Sequence, residues 1–153
     1  DFDFCKGKIV GLEARNIGGD AIDFSGSRIL VENGLASNVF DKGISIGEQS
    51  SIEIKNFIVK KASFGIAVKD SSFLNSTEIE FVKNRYFDLM SYIKKPFFSK
   101  SSVLLNTVKG GLRPKAICQV GEYMKVNNKT IDCSEINVDD LYSDKKMKKA
   151  DAN

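Results

Sequence analysis

A repeat of about 22 residues runs from residue 2 to residue 107, and it limits the fold because so short a unit cannot bury its apolar side chains alone. Apolar residues of one strip recur at steps of 22, 22 and 23: Ile22, Ile44, Ile66 and Leu89. The residues two positions later keep those steps: Phe24, Ile46, Val68 and Ser91. An earlier Phe2-Asp3-Phe4 aligns at a step of 20, which places Asp3 beside Asp23.

Two further strips accompany the first in each repeat. The second strip is Ile29-x-Val31, Ile52-x-Ile54, a blurred copy at 73–76, and Val103-x-Leu105. A serine entry precedes each copy: Ser27-Arg28, Ser50-Ser51, Ser71-Ser72 and Ser101-Ser102. The third strip contains Leu35, Ile58 and Phe81, and a polar corner follows at Asn16, Asn38, Lys61 and Asn84. Apolar and polar residues alternate within a strip, which is the period of a β-strand and not of a helix.

Three short strands per repeat, joined by Gly, Asn and Ser corners, predict an all-β solenoid, a parallel β-helix of about four to five coils over residues 1–107. An antiparallel sandwich is the alternative, but sandwiches show no matched register between repeats. Residues 108–153 break the period and are expected to form an aperiodic C-terminal cap. They contain a predicted hairpin at 123–132 with an Asn-Asn turn, a helix candidate at 138–149 and a Lys-rich tail. No cap precedes residue 1, so we expect upstream chain or a partner subunit to cover that end.

These repeats resemble the pectin-lyase-like superfamily, and bacterial parallel β-helix repeat proteins in particular. The resemblance rests on residues 19–27, 41–50 and 65–72 and on Tyr92-Ile93-Lys94-Lys95. It implies a right-handed, single-stranded helix and an extracellular or cell-surface location. Members of this superfamily act on acidic or neutral polysaccharides as lyases, hydrolases and epimerases, or bind them at the surface of phages and cells.

Composition excludes several classes of site. The chain has no His, which removes Ser-His-Asp and Cys-His catalysis and His-ligated metal centres. Cys5, Cys118 and Cys133 have no metal-binding spacing; either Cys118 and Cys133 close a loop and leave Cys5 free, or all three are buried thiols. The net charge of +3 owes much to Lys145, Lys146, Lys148 and Lys149, which we interpret as a solvated terminus and not as a nucleic-acid surface. No apolar run is long enough to predict a membrane span.

One predicted outward face gathers more polar groups than any other. The row Asp3, Asp23, Ser45, Ala67 and Met90 lies beside the row Ser25, Gly47, Lys69 and Tyr92. The candidate binding residues on this face and its corners are Asp20, Asp41, Lys42, Tyr92, Lys94 and Lys95. An insertion next to Tyr92 adds Phe97 and Phe98, as platforms for sugar rings or as a lid that folds back over the last coil. Solvated turn residues and simple ion pairs are the structural alternative.

The function predicted from these residues is binding or scaffolding of a polysaccharide or oligosaccharide. The first alternative is a small polysaccharide lyase, epimerase or hydrolase, whose candidate catalytic residues are Asp23, Glu48, Lys69 and Asp70. The second alternative is a structural module that forms a homo-oligomer through an exposed end of the helix. No cofactor is expected, apart from Ca²⁺ as a weaker hypothesis at Asp3 and Asp23.

Overall fold

The computed structural model describes residues 1–110 and 114–143 and has 63% strand and 4% helix. Its strands are β1 Phe2–Asp3, β2 Lys6–Val10, β3 Glu13–Ile17, β4 Ile22–Ser25, β5 Arg28–Gly47, β6 Ser51–Lys69, β7 Phe73–Val82, β8 Phe87–Tyr92, β9 Ser102–Leu105, β10 Val108–Lys109, β11 Ala116–Cys118, β12 Tyr123–Val126 and β13 Lys129–Thr130. One helix, α1 Val138–Ser143, follows them. The all-β parallel solenoid is confirmed, with about six turns where the sequence predicted four to five.

The coils stack their strands into three parallel faces. The first stack contains β1, β4, 44–47 of β5, 64–69 of β6, β8 and β11. The second stack contains β2, 28–32 of β5, 51–55 of β6, 73–76 of β7, β9 and β12. The third stack contains β3, 34–39 of β5, 57–60 of β6, 79–82 of β7 and β10. β5 and β6 are long because each continues around the corners of a coil.

The core is built from ladders of like residues, as the repeat predicts. Ile22, Ile44, Ile66 and Leu89 lie directly opposite one another in successive coils and are at most 3% exposed. Their side chains point into the coil and contact the inward residues of the other two stacks. Each fully buried aliphatic side chain contributes about 1.5–3 kcal/mol, so the stacking of coils, and not any single coil, provides the stability.

The register differs from the predicted one in two places. Phe2 lies opposite Phe24 at a step of 22, and Asp3 therefore lies opposite Ser25 and not Asp23. Phe81 lies opposite Val59, because β7 shifts relative to β6 near Lys55. These errors arise where a bulge or an end effect changes the spacing without changing the apolar alternation.

Left-handed residues form the corners of the coils. Asn16 and Asn38 have φ of 58° and 54°, and the Asn38 amide donates to the Asn16 side-chain oxygen at 3.1 Å. Lys61 continues this corner with φ of 52°, but the next left-handed residue is Lys83, not Asn84. Asn tolerates this conformation better than most residues, which explains its recurrence there.

The serines that precede the second strip form a continuous ladder. The N–H of Ser27 donates to Ser50 Oγ at 3.1 Å, and the same bond joins Ser50 to Ser72 and Ser72 to Ser101 at 3.2 Å. In the last coil the N–H of Ser101 donates at 2.8 Å to Oε2 of Glu122. A carboxylate therefore replaces the next hydroxyl and satisfies the last buried donor of the ladder.

The C-terminal segment folds against the last coils. Asn127 and Asn128, with φ of 48° and 63°, make the predicted turn between β12 and β13. β12 also pairs in parallel with β9, so coil pairing continues to Val126, beyond residue 107. A disulfide joins Cys118 and Cys133, and Cys5 is free and exposed. The Lys-rich tail and the predicted extension of α1 to residue 149 lie outside the described residues.

Candidate functional site

α1 covers the outer side of the first stack, which is the face predicted to be open. Tyr142, with 8% of its surface exposed, packs with Phe64, Ala67, Met90 and Tyr92 in a second apolar cluster outside the coils. Ser45, Ala67 and Met90 point outward in the predicted row but are at most 1% exposed. The apolar Ala67 and Met90 were the sequence signal for a cover, since outward residues without one would be expected to be polar.

Tyr92 is wholly buried in this arrangement, and its predicted contact with a saccharide stays a prediction. Its hydroxyl oxygen lies 2.7 Å from that of Tyr142, and the two rings meet edge to face with centroids 6.3 Å apart. Burial raises the pKa of Tyr92 well above its ordinary value. The Lys94 ammonium lies 5.2 Å from the centroid of the Tyr142 ring. Tyr92 thus anchors α1 through a polar contact inside an apolar cluster.

Lys42, Asp41 and Asp20 form a buried ionic cluster at one end of the covered face. The Lys42 ammonium lies 2.9 Å from Oδ2 of Asp41 and 3.1 Å from Oδ1 of Asp20. Burial alone would lower the pKa of Lys42, but the two carboxylates outweigh it and the pKa is raised. The side chains of Lys42 and Asp41 are 4% exposed, so these predicted binding residues face the protein and not a ligand.

Lys69 lies across the backbone of Gly47 to reach Ser45. A methyl group added at Gly47 would lie 3.0 Å from Cε of Lys69, so the lysine chain occupies the space of the missing side chain. Its ammonium donates to Ser45 Oγ at 2.6 Å. Burial lowers the pKa of Lys69, although the half-buried Asp23 partly opposes the shift. A lysine of lowered pKa beside a hydroxyl is the chemistry of a general base, and here both groups are buried.

Asp70 and Glu48 hold the loop that follows β8. Oδ1 of Asp70 accepts the N–H groups of Lys94 and Lys95 at 2.8 and 2.9 Å. The Lys95 ammonium pairs with Glu48, so Glu48 and Asp70, two of the candidate catalytic residues, both contact this loop, and their catalytic role stays a prediction. The predicted alignment of Asp3 with Asp23 is wrong, because Asp3 lies opposite Ser25. Among the described residues no cluster of three acidic or Cys side chains could hold a metal ion.

The loop itself carries the two phenylalanines predicted as platforms. Phe97 is 80% exposed, whereas Phe98 is half-buried, and their ring centroids lie 4.8 Å apart. One ring therefore covers the protein and the other faces solvent, which combines the two alternatives derived from the sequence.

The outer side of the second stack is an open polar face among the described residues, and the sequence did not indicate it as a site. One outward row contains Lys6, Arg28, Ser51, Phe73, Ser102 and Tyr123. The neighbouring row contains Lys8, Leu30, Glu53, Asn75, Leu104 and Lys125. Phe73 and Tyr123 are 37% and 46% exposed. We call these two rows the second-stack face.

A shallow depression of about 350 Å³ lies on the second-stack face. Arg28, Glu53 and Asn75 contribute polar groups to it, and Phe73 and Leu30 contribute apolar surface. Both aromatic residues of this surface are visible in the sequence, but in different segments. Phe73 belongs to the blurred copy, and Tyr123 belongs to the segment interpreted as a cap. Only the three-dimensional register brings the two rings into one row.

No family model, curated protein or solved structure matches this chain. Among the described residues, the single helix has six residues, too few to cross a membrane.

Proposed function

We propose that this protein binds a polysaccharide or oligosaccharide on the second-stack face. The observation that carries the proposal is the row containing two exposed aromatic rings, Phe73 and Tyr123, with the small Ser102 between them. Successive strands of a sheet are about 4.8 Å apart, so two steps separate the rings by about 10 Å. That spacing suits alternate sugar rings of an extended chain lying along the stack.

The polar groups of the face supply the second requirement for sugar recognition, which is hydrogen bonding to hydroxyl groups. Arg28, Glu53 and Asn75 surround the depression beside Phe73. A few directed polar groups beside an apolar platform are the usual composition of a small-molecule site. The flatness of a parallel stack favours a long ligand over a compact one.

The charge of the face favours an acidic polymer. Lys6, Arg28 and Lys125 belong to its two rows. Lys8 is also in these rows, but its ammonium lies 2.7 Å from a carboxylate oxygen of Glu32, so its charge is paired. Arg is suited to bidentate binding of carboxylates. A uronate polymer is therefore the proposed class of ligand, with neutral glucans as the comparison.

The likeness to pectin-lyase-like and bacterial parallel β-helix repeats supports the same class of ligand. It also supports a bacterial origin and an extracellular or cell-surface location, which we include in the proposal. The Cys118–Cys133 disulfide is consistent with an oxidising compartment.

Binding is tested by titrating the full chain with hexagalacturonate and with maltohexaose in a calorimeter. We expect hexagalacturonate to bind, and Phe73→Ala and Tyr123→Ala each to weaken it by about 2- to 10-fold, the usual worth of one aromatic contact. Phe97→Ala is the matched control, because its ring is exposed but lies off the face. Absence of binding to both sugars, or equal losses in all three variants, would refute the proposal.

Catalysis on a uronate polymer is the second candidate, and the Ser45–Lys69 contact favours it. A neutral Lys69 could accept the proton next to the uronate carboxylate in a lyase or epimerase reaction. We expect polygalacturonate to yield unsaturated product only if α1 moves away, and Lys69→Met to abolish that product while Lys60→Met, a change on the third stack, does not. Product formation that survives Lys69→Met would exclude Lys69 as the base.

A further inference from the structure

We propose that the N-terminal end of the solenoid binds a second copy of this chain, forming a two-fold symmetric, end-to-end dimer. We call this end, formed by β1, β2 and β3, the open end. Among the described residues, each of these strands pairs with the next coil along one edge only. An unpaired strand edge is a template for another chain.

The two ends of the solenoid differ in how they are covered. At the opposite end, β13 pairs with β12, and Ser134 pairs with Gln119 next to the disulfide. At the open end, Val10 is 61% exposed, and the apolar Ile9 and Leu12 are only partly buried. The exposed backbone edge and the incomplete core therefore occur together at one end.

The register shows which backbone groups of β3 point away from the molecule. Leu35 donates its N–H to the carbonyl of Leu12 at 2.9 Å, and Glu13 lies opposite Leu35. In a parallel ladder, alternate residues of a strand bond to the same neighbouring strand. The residues flanking Glu13 therefore bond to β5, and Glu13 directs its own N–H and C=O away from β5, toward the open end. Arg15 has the same phase, because it lies opposite Ser37.

The outward groups of Glu13 and Arg15 are positioned to pair with the β3 of a second copy. An antiparallel pair centred on Ala14 places Glu13 of one copy opposite Arg15 of the other, in hydrogen-bonded pairs that use all four outward groups. Glu13 and Arg15 point to one side of the strand and are half-exposed, and in the single chain they form an ion pair with each other that the cross-strand pairs would replace. Each cross-strand pair would thus combine two backbone hydrogen bonds with opposite charges.

The same symmetry gives complementary contacts on the other sides of the coil. The coil has three sides. A two-fold axis that enters it through the middle of β3 therefore passes out through the opposite corner, between β1 and β2, where Cys5 lies. It therefore places the β1 of one copy, with Asp3, against the β2 of the other, with Lys6 and Lys8. An axis through β2 centred on Lys8 would instead place Lys8 against its own copy, which is unfavourable.

The contact is isologous, so it closes at two copies and does not propagate into a filament. The covered opposite end agrees with this, since a head-to-tail polymer would need edges at both ends. A second copy is thus the occupant that the charge pattern of the open end fits.

Sedimentation velocity of the full chain tests the dimer. We expect a concentration-dependent dimer that Arg15→Glu weakens by about tenfold or more, because it opposes like charges in both symmetric pairs. The charge swap Glu13→Arg with Arg15→Glu should restore the dimer. Because the swap also restores the ion pair within β3, urea unfolding of Arg15→Glu, expected to match that of the wild-type monomer, is the control for a folding defect. A monomer at all concentrations, a longer polymer, or a dimer indifferent to Arg15→Glu would overturn the proposal.

A short bis-maleimide provides a geometric readout, since each thiol adds across one maleimide double bond and no oxidant is needed. The free, exposed Cys5 should cross-link two copies in the wild type and fail to do so in Arg15→Glu at the same concentration. The control is Cys5→Ser combined with Ser99→Cys, which moves the single exposed thiol to the loop after β8. Equal cross-linking from that position, or none from Cys5, would contradict the two-fold axis.

Discussion

Glu122 shows how one residue closes a ladder that runs through four coils. Its Oε2 accepts bonds from the Ser101 N–H and the Ser91 hydroxyl, at 2.8 and 2.6 Å. Its other oxygen, Oε1, has no hydrogen-bond partner among the residues that the structure describes. Burial raises the pKa of Glu122, and the charge of Asp70 adds to the shift, whereas the two hydrogen bonds oppose it.

The raised pKa predicts how stability depends on pH. Because folded Glu122 keeps its proton to higher pH than unfolded Glu122, its stabilising contribution is complete below about 4.5 and is lost as pH rises through the folded pKa. We expect the stability of the wild type, relative to Glu122→Gln, to fall as the pH rises above about 4.5 and through the raised folded pKa of Glu122. Urea unfolding of both proteins measures the difference, and a constant difference across this range would show that Glu122 is not protonated on folding.

The sequence indicated the ladder but not its last member. The serine before each second strip was visible as a repeated residue type, whereas Glu122 is a different residue, in a segment without the repeat. The burial of Tyr92 was missed for a related reason. Its partner Tyr142 is 50 residues away, and alternation within a strand does not show which outward residues a distant segment will cover.

At the scale of elements, α1 covers the first stack, and the disulfide-linked segment before it, which includes β12 and β13, ends the stack of coils. The strands and their stacking were predictable because each apolar strip repeats with matched steps. The position of α1 was not predictable, because a helix of six residues with weak amphipathicity does not specify the face that it covers. Its packing depends on Tyr142 and on the apolar cluster that includes Phe64 and Met90.

Removing the disulfide should loosen this cover without unfolding the coils. In a solenoid each coil contacts only its neighbours, so loss of a constraint at one end remains local. We expect the variant Cys118→Ala with Cys133→Ser to lose up to about 3 kcal/mol, the value for a loop of this length. Hydrogen exchange should accelerate in β11–β13 and α1 while β5 and β6 stay protected. Uniform acceleration along the chain would show that the solenoid unfolds as one unit.

At the scale of the whole molecule, three faces and two ends have different roles. The first stack is covered by α1, the second-stack face is open and carries two aromatic rings, and the open end exposes strand edges. The sequence predicted the solenoid correctly, and it placed the candidate ligand-binding residues on the face that α1 covers. Polar residues are abundant there because they form ion pairs and anchor a loop, and residue type alone does not distinguish that role from ligand binding.

Binding on the second-stack face is tested most directly by mapping the ligand on the protein by NMR. Hexagalacturonate is titrated into the isotope-labelled full chain, and backbone amide shifts are followed residue by residue. We predict that the shifts concentrate in the strands of the second-stack face, at 28–30, 51–53, 73–75, 102–104 and 123–125. They should vanish in the Phe73→Ala, Tyr123→Ala double variant. Shifts centred on Lys69 and Tyr92, or no shifts at all, would contradict binding on this face.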